Sequence, residues 1–191
     1  MAANLSFTYA AMNCGKSTAL LQTAYNLSNI GKKVQYYTSA LDNRYGYGKI
    51  TSRIGLSEQA MVIPKDDFSV LNDIITDCQE GNGPYAIFVD ECQFLSSNQV
   101  DKLGEIVDNY DVKVYCYGLR TDYSGKLFEG SHRLFEIADK LRELNNNCQC
   151  GKKATMTIRL VDSTEQVYIG GNDVYQCVCR KCHNEHLRKH K

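Results

Sequence analysis

The sequence predicts an α/β fold, a mostly parallel sheet covered by helices, followed by a small cysteine-rich unit. Three observations carry this. Strand-like and helix-like patterns alternate through roughly the first 140 residues, the arrangement that gives a parallel sheet. One strand pattern runs straight into a Gly-Lys-Ser turn and then a helix. Five of the nine cysteines, Cys148, Cys150, Cys177, Cys179 and Cys182, crowd the C-terminal end.

Ala2 to Tyr9 carries Leu5, Phe7 and Tyr9 at alternate positions of a short buried strand. Ser17 to Asn29 spaces Leu20, Leu21, Ala24, Tyr25 and Leu27 as a helix. Lys33 to Thr38 reads as a second strand. Ser39 to Ser57 is polar and holds Gly46, Gly48 and Gly55, so it is expected to be a long mobile loop, of the length that is usually functional. Phe68 to Cys78 reads as a helix, Gly81 to Pro84 as a turn, and Tyr85 to Val89 as a wholly apolar strand. Asn98 to Asn109 places Val100, Leu103, Ile106 and Val107 on one helical face. Val112 to Tyr117 is a further buried strand, and Leu134 to Leu144 is expected to be a helix leading to the cysteines. The chain has no internal repeats and no low-complexity segments.

The chemistry starts at Phe7 to Thr18. Gly15-Lys16-Ser17 matches the second half of the phosphate-binding pattern G-x-x-x-x-G-K-[ST], although Ala10 stands where the first glycine belongs. Strand, loop and helix in that order put phosphates on a helix N-terminus. Loop N–H groups would cradle the oxygens, Lys16 would neutralise them, and the Ser17 hydroxyl would ligate Mg²⁺. Asp90-Glu91 directly follows the apolar strand at Tyr85 to Val89. In phosphate-loop enzymes an Asp there holds Mg²⁺, which frees Glu91 to take a proton from the group that attacks the γ-phosphate. A water nucleophile makes an ATPase and a substrate hydroxyl makes a kinase. Asp90-Glu91-Cys92-Gln93 also occurs in type among nucleic-acid helicases, but those need two such lobes and this chain has length for one. Both motifs fall at strand carboxyl ends, where ligands of open α/β sheets sit.

Cys148-Gln-Cys150-Gly151 and Cys179-Arg-Lys-Cys182 supply four thiols for tetrahedral Zn²⁺. Cys177 and His183 are spare candidates. Four thiolates close the coordination shell, so the metal is expected to be structural. The intervening segment holds Thr157, Arg159 and the run Val167 to Tyr175, and it would be tied at its base by the metal. Gly170-Gly171 permits close approach to a flat ligand, and Tyr168 and Tyr175 can stack or hydrogen-bond, so the segment reads as a lid.

Composition bounds the rest. Lys plus Arg and Asp plus Glu number 22 each, so the net charge is zero and nothing in it points to nucleic acid. The basic, His-rich tail from Arg180 reads as a solvated end. No apolar run approaches a membrane span and no secretory pattern opens the chain, so a cytoplasmic protein with reduced thiols at Cys14, Cys78, Cys92 and Cys116 is expected.

Nearly end to end, the chain resembles the type II thymidine kinases, most closely their bacterial and phage branch. Tyr9 to Thr18 is similar to that branch's phosphate loop. Asp42-Asn-Arg44 and Ser52-Arg-Ile-Gly55 look like its flexible loop, and Asp90 to Phe94 like its catalytic-base motif. Tyr117 to Tyr123 with Phe128 look like its thymidine pocket. Ile169-Gly-Gly171, Tyr175 and Cys179 to Cys182 look like its lasso loop and zinc knot, with Cys182 where the branch often has His. The resemblance implies a RecA-like domain at residues 1–144 and a zinc-binding domain with a lasso loop at 145–191. It implies γ-phosphate transfer from ATP to the 5′-hydroxyl of thymidine or deoxyuridine, in salvage for DNA synthesis, with Glu91 as base. Phosphates would meet Tyr9, Ala10, Ala11, Met12, Asn13, Cys14, Gly15, Lys16, Ser17 and Thr18, with Asp90, Glu91, Cys92 and Gln93 beside them. Ser17 and Asp90 would serve Mg²⁺, and Arg44 and Arg53 would steady the transferring group. Met12, Leu119, Tyr123, Phe128, Thr157 and Tyr175 would enclose the base, with Asp42, Arg44 and Phe94 in the pocket and Val167, Tyr168, Ile169 and Gly170 over it. A homotetramer inhibited by thymidine triphosphate is also implied. The competing reading is a phosphate-loop ATPase or switch carrying a structural zinc ribbon.

Overall fold

The computed structural model describes residues 2–42, 46–163, 165–168, 170–171 and 173–189. The chain opens with β1 (Leu5–Ala10), α1 (Lys16–Asn29) and β2 (Val34–Ser39), then three short strands, β3 (Lys49–Thr51), β4 (Ser57–Gln59) and β5 (Met61–Ile63). Next come α2 (Ser69–Gln79), β6 (Ala86–Asp90), one turn of 3-10 helix at Cys92–Phe94, α3 (Ser97–Tyr110), β7 (Lys113–Leu119) and α4 (Glu129–Ile137). The chain continues through β8 (Lys140–Glu143), β9 (Asn146–Asn147), β10 (Lys153–Ala154), β11 (Met156–Arg159), β12 (Tyr175–Val178) and α5 (Arg180–Lys189).

Six strands form one sheet in the order β5-β2-β6-β7-β1-β8, every neighbouring pair parallel. Alternate side chains of β6 go to opposite faces. Ile87 and Val89 join the cluster under α2, α3 and α4, while Ala86 and Phe88 join the cluster under α1. All five residues of β6 are buried, which is why the strand reads as an unbroken apolar run and not as an alternating one. Phe88 stacks on Tyr115 with centroids 4.8 Å apart, knitting β6 to β7 on the α1 face. The sheet thus has helices on both faces, and the C-terminal part adds two small antiparallel ribbons, β9 with β10 and β11 with β12.

Two segments depart from the sequence expectation. Leu134 to Leu144 is not one helix: α4 ends at Ile137, and Lys140–Glu143 become β8, paired parallel to β1 from Ser6 to Tyr9. The apolar spacing suits a helix, but Leu141 is half exposed, and the Leu5 amide bonded to the Asp139 carboxylate at 2.8 Å docks the segment on the open edge of β1. Tertiary pairing overrides local period here. Ser39 to Ser57 is not wholly loop either. β3 and β4 pair antiparallel across a turn in which Ser52 bonds Leu56 from both its backbone and its hydroxyl, and Ile50 is buried in the α1-face cluster. Strands of three residues are too short to show a period.

Candidate functional site

The phosphate loop is the turn between β1 and α1. Gly15 caps α1 with φ 73° and Asn13 has φ 65°, left-handed conformations of the kind that build anion-binding nests of backbone amides. Lys16, at the first turn of α1, is buried and its Nζ donates to the Ala11 carbonyl at 3.3 Å. The Ser17 hydroxyl donates to Asp90 Oδ2 at 2.8 Å, so the two halves of the motif meet across the sheet. A pocket lined by residues 12–18 is closed on its far side by Thr51, Ser52, Arg53 and Ile54 of the β3–β4 turn.

Asp90 ends β6 and Glu91 follows it, at the start of the 3-10 turn. Burial, followed by the neighbouring Glu91 carboxylate, pushes Asp90 up to about 7, while Ser17 and Lys16 pull it down. A carboxylate so placed needs a cation beside it to stay charged. Glu91 sits at φ 52°, ψ 34°, a left-handed conformation rare for a side chain of this size and a form of strain that clusters at functional sites. Its Oε2 accepts from Gln93 Nε2 at 2.5 Å, and Gln93 Oε1 in turn accepts from the Leu119 amide at 3.0 Å. This bridge clamps the Glu91 side chain to the tip of β7. It needs the backbone to come close. A Cβ on Gly118 would stand 2.7 Å from both Cys92 Sγ and Gln93 Oε1, and one on Gly130 would stand 2.4 Å from the Cys92 carbonyl.

A second pocket lies beside the first. Its sheet side is Phe94, Leu119 and Phe128, with the two phenylalanine rings edge to face at 5.7 Å. Thr157 and Tyr175 enter from the β11–β12 ribbon, Tyr123 from the loop after β7, and Val167, Tyr168 and Gly170 from the loop between β11 and β12. Met12, Glu91 and Leu119 line both pockets, so Glu91 stands at their junction. Asp42 also lines the second pocket.

Tyr9, Ala10 and Ala11 line neither pocket. Tyr9 packs on Phe135 at 4.8 Å, and the Ala10 and Ala11 carbonyls serve Arg120 and Lys16. Cys92 and Gln93 are fully buried beneath the site and line neither pocket. Arg44 and Ile169 lie outside the described residues. The sequence reading missed Gln166 of the second pocket and Thr51 of the first, while Thr121, Asp122 and Ile54 fell inside segments marked by the family resemblance without being singled out. Gln166 Nε2 donates to Asp122 Oδ2 at 3.0 Å, a contact between distant segments that leaves no spacing signal.

The thiols of Cys148, Cys150, Cys179 and Cys182 come within 4.8 Å of one another. Gly151, with φ 85° and its amide on the Cys148 carbonyl at 2.8 Å, forms the tight turn after the first pair. Backbone N–H groups of Cys150 and Cys179 hold Cys148 down to about 6, while bonds from the other three sulfurs, Cys179 foremost, push Cys182 up to about 12. Sulfurs this close cannot all ionise without a cation among them, so the donor set fits a tetrahedral metal such as zinc. Cys177 stands apart and accepts from Asn146 Nδ2 at 3.2 Å. His183 Nε2 lies 2.7 Å from the Tyr123 carbonyl and His186 Nε2 lies 3.0 Å from the Arg159 carbonyl, so α5 braces the second pocket. Further ties run from Arg120 to the Thr155 carbonyl at 2.8 Å and from the Met12 amide to the Thr157 hydroxyl at 3.3 Å.

Among the described residues, no helix is long and apolar enough to cross a membrane. The thymidine kinase family model matches residues 3–183. A thymidine kinase of Shewanella oneidensis is 48% identical over 97% of this chain and 98% of its own length. One of Vibrio cholerae is 47% identical with the same coverage, and one of Escherichia coli K12 is 48% identical over 97% of this chain and 93% of its own. With the match spanning both pockets and the cysteine cluster, the chain belongs to the thymidine kinase family.

Proposed function

We propose that the chain transfers the γ-phosphate of ATP to the 5′-hydroxyl of thymidine or deoxyuridine. The observation that carries this is the position of Glu91 where the two pockets join. A nucleoside in the apolar pocket and ATP phosphates in the loop pocket would bring the hydroxyl and the γ-phosphorus together beside that carboxylate. Glu91 takes the hydroxyl proton, the freed oxygen bonds to phosphorus, and the bond from phosphorus to the bridging oxygen of ADP breaks. Gln93 holds the carboxylate during this step through its 2.5 Å bond.

Lys16 and the loop amides meet the negative charge on the phosphates, and Arg53, which lines the loop pocket, adds to it. Ser17 and Asp90 would hold Mg²⁺, which would neutralise the phosphate oxygens when bound. Arg44 keeps its proposed role from the family resemblance. Met12, Leu119, Tyr123, Phe128, Thr157 and Tyr175 enclose the base. Main-chain groups from Tyr168 to Gly170 read its edge. Zinc on Cys148, Cys150, Cys179 and Cys182 ties residues 145–191 together as a unit distinct from the kinase unit at 1–144. Family resemblance supports a cytoplasmic homotetramer, inhibited by thymidine triphosphate and serving nucleoside salvage.

The test gives purified protein labelled ATP with Mg²⁺ and a panel of nucleosides. Label on thymidine and deoxyuridine monophosphates is expected. ATP hydrolysis with no nucleoside labelled would return the chain to the ATPase or switch reading.

A further inference from the structure

We infer that Arg159 is a positioning residue for nucleoside recognition: its buried guanidinium shapes the loop between β11 and β12 into a lid before any nucleoside arrives. This rests on the proposal that the loop covers the base.

Arg159 ends β11 and is 4% exposed. Among the described residues no carboxylate pairs with it. A cation taken out of water is costly unless its hydrogens are bonded; here the two Nη atoms find their acceptors in the loop and on Tyr175 of β12, while Nε has no partner among the described residues. Nη1 donates to the Ser163 and Glu165 carbonyls at 3.0 and 2.6 Å. Nη2 donates to the Gln166 carbonyl at 3.2 Å and to the Tyr175 hydroxyl at 3.0 Å. That hydroxyl donates onward to the Tyr168 carbonyl at 2.8 Å, so the charge polarises a two-bond chain into the lid. Beneath, the guanidinium lies over the Tyr123 ring at 3.9 Å. Burial of the charge and shaping of the loop are therefore one event.

The consequence is selective. Arg159 lines neither pocket, yet Tyr123, Gln166, Tyr168 and Tyr175, which it holds, all line the nucleoside pocket. The Gln166 side chain continues the link to Asp122 across that pocket. No residue of the phosphate pocket is among its partners. Loss of Arg159 is thus felt by the nucleoside and not by ATP. Lysine cannot stand in, because an ammonium is a point donor without the planar fork that reaches these acceptors or the face that lies on Tyr123.

The experiment is Arg159→Lys in the full chain, zinc-loaded, with KM measured for thymidine and for ATP. The thymidine KM is expected to rise about tenfold to hundredfold, as for a lid formed only a tenth to a hundredth of the time. The ATP KM and kcat are expected to stay within about threefold, as for a loss confined to nucleoside binding. Limited proteolysis in residues 160–174 should speed up, and saturating thymidine should slow it again. A merely structural role would instead lower kcat or raise both KM values. A wild-type thymidine KM, or an equal rise for both substrates, overturns the inference. Gly170→Val, assayed in parallel, separates the two ideas. If it raises the thymidine KM while Arg159→Lys does not, the lid stands and the role of Arg159 falls. If neither moves, the lid reading falls as well. Should the Lys variant fail to hold zinc, Arg159→Gln, which keeps a planar polar tip without the buried charge, is read by the same measurements.

Discussion

The two ends of the site are built in opposite ways. The phosphate end is a run of consecutive residues, 12–18, joined to Asp90 and Glu91 at the tips of β1 and β6 and backed by the sheet core. Its groups sit at or next to strand tips, and their places follow once the sheet has formed. The nucleoside end draws on the loop after β7, the β11–β12 ribbon and the loop between those strands. What holds that end is a cluster of thiols and a buried arginine, not a large apolar core. Damage at the strand tips should therefore read as lost turnover. Damage in the cysteine-rich part should read as weakened nucleoside binding with the phosphate chemistry intact.

Glu91→Gln tests the first half most sharply. The amide keeps the shape and can still accept from Gln93, but it cannot take a proton. Turnover is expected to fall about 10²–10⁴-fold, the span for general-base removal, with nucleoside affinity by calorimetry unchanged. Near-normal turnover would sink the assignment. Lys16→Ala comes next, with a fall of about 10²–10³-fold, as for removal of one preorganised charge-stabilising donor. Thymidine should still bind, because Lys16 lines only the phosphate pocket. Phosphorylation surviving at wild-type rate would mean the loop is not the ATP site.

The same contrast explains what could be read from the residues alone. Gly15-Lys16-Ser17 and Asp90-Glu91 are local patterns at the ends of apolar strands, and their chemistry is fixed by a few neighbours. β6 was legible because both its faces are buried. By contrast, β8 looked helical because the edge of β1 that claims it is more than a hundred residues away in sequence. Residue types gave the thiol set and marked residues 167–175 as a lid, but the enclosing residues came from family resemblance. Arg159 could be noticed, but its four acceptors depend on how the loop folds back, which no spacing encodes.

Two changes probe the nucleoside end. A Cβ on Gly170 would stand 2.4 Å from Val174 Cγ2, so Gly170→Val forces the lid apart. Overpacking of this kind costs about 1–3 kcal/mol, a rise of roughly 5- to 150-fold in the thymidine KM. The ATP KM should stay put. Removal of zinc by a chelator is expected to shift the same constant in the same direction, since a metal on the four thiols would fix the base of the proposed lid. Equal weakening of both substrates would make this region a general stability element and erase the distinction between the two ends.

The smallest effect is expected at Cys177, and it tests where the metal unit stops. Cys177 lies on β12 only two residues before Cys179, so sequence proximity alone would admit it to the ligand set. Its sulfur, however, stands outside the four-thiol group and accepts from Asn146 Nδ2 at 3.2 Å. That same amide donates to the Asn13 carbonyl of the phosphate loop at 3.0 Å, so Cys177 belongs to the seam between the two ends. A serine hydroxyl can accept the Asn146 bond in its place. Cys177→Ser should leave zinc at one per chain by elemental analysis, with both KM values unchanged. Cys182→Ser, by removing a ligand, should lose zinc and raise the thymidine KM. Zinc lost from the Cys177 variant would redraw the ligand set and place the metal unit directly against the phosphate loop.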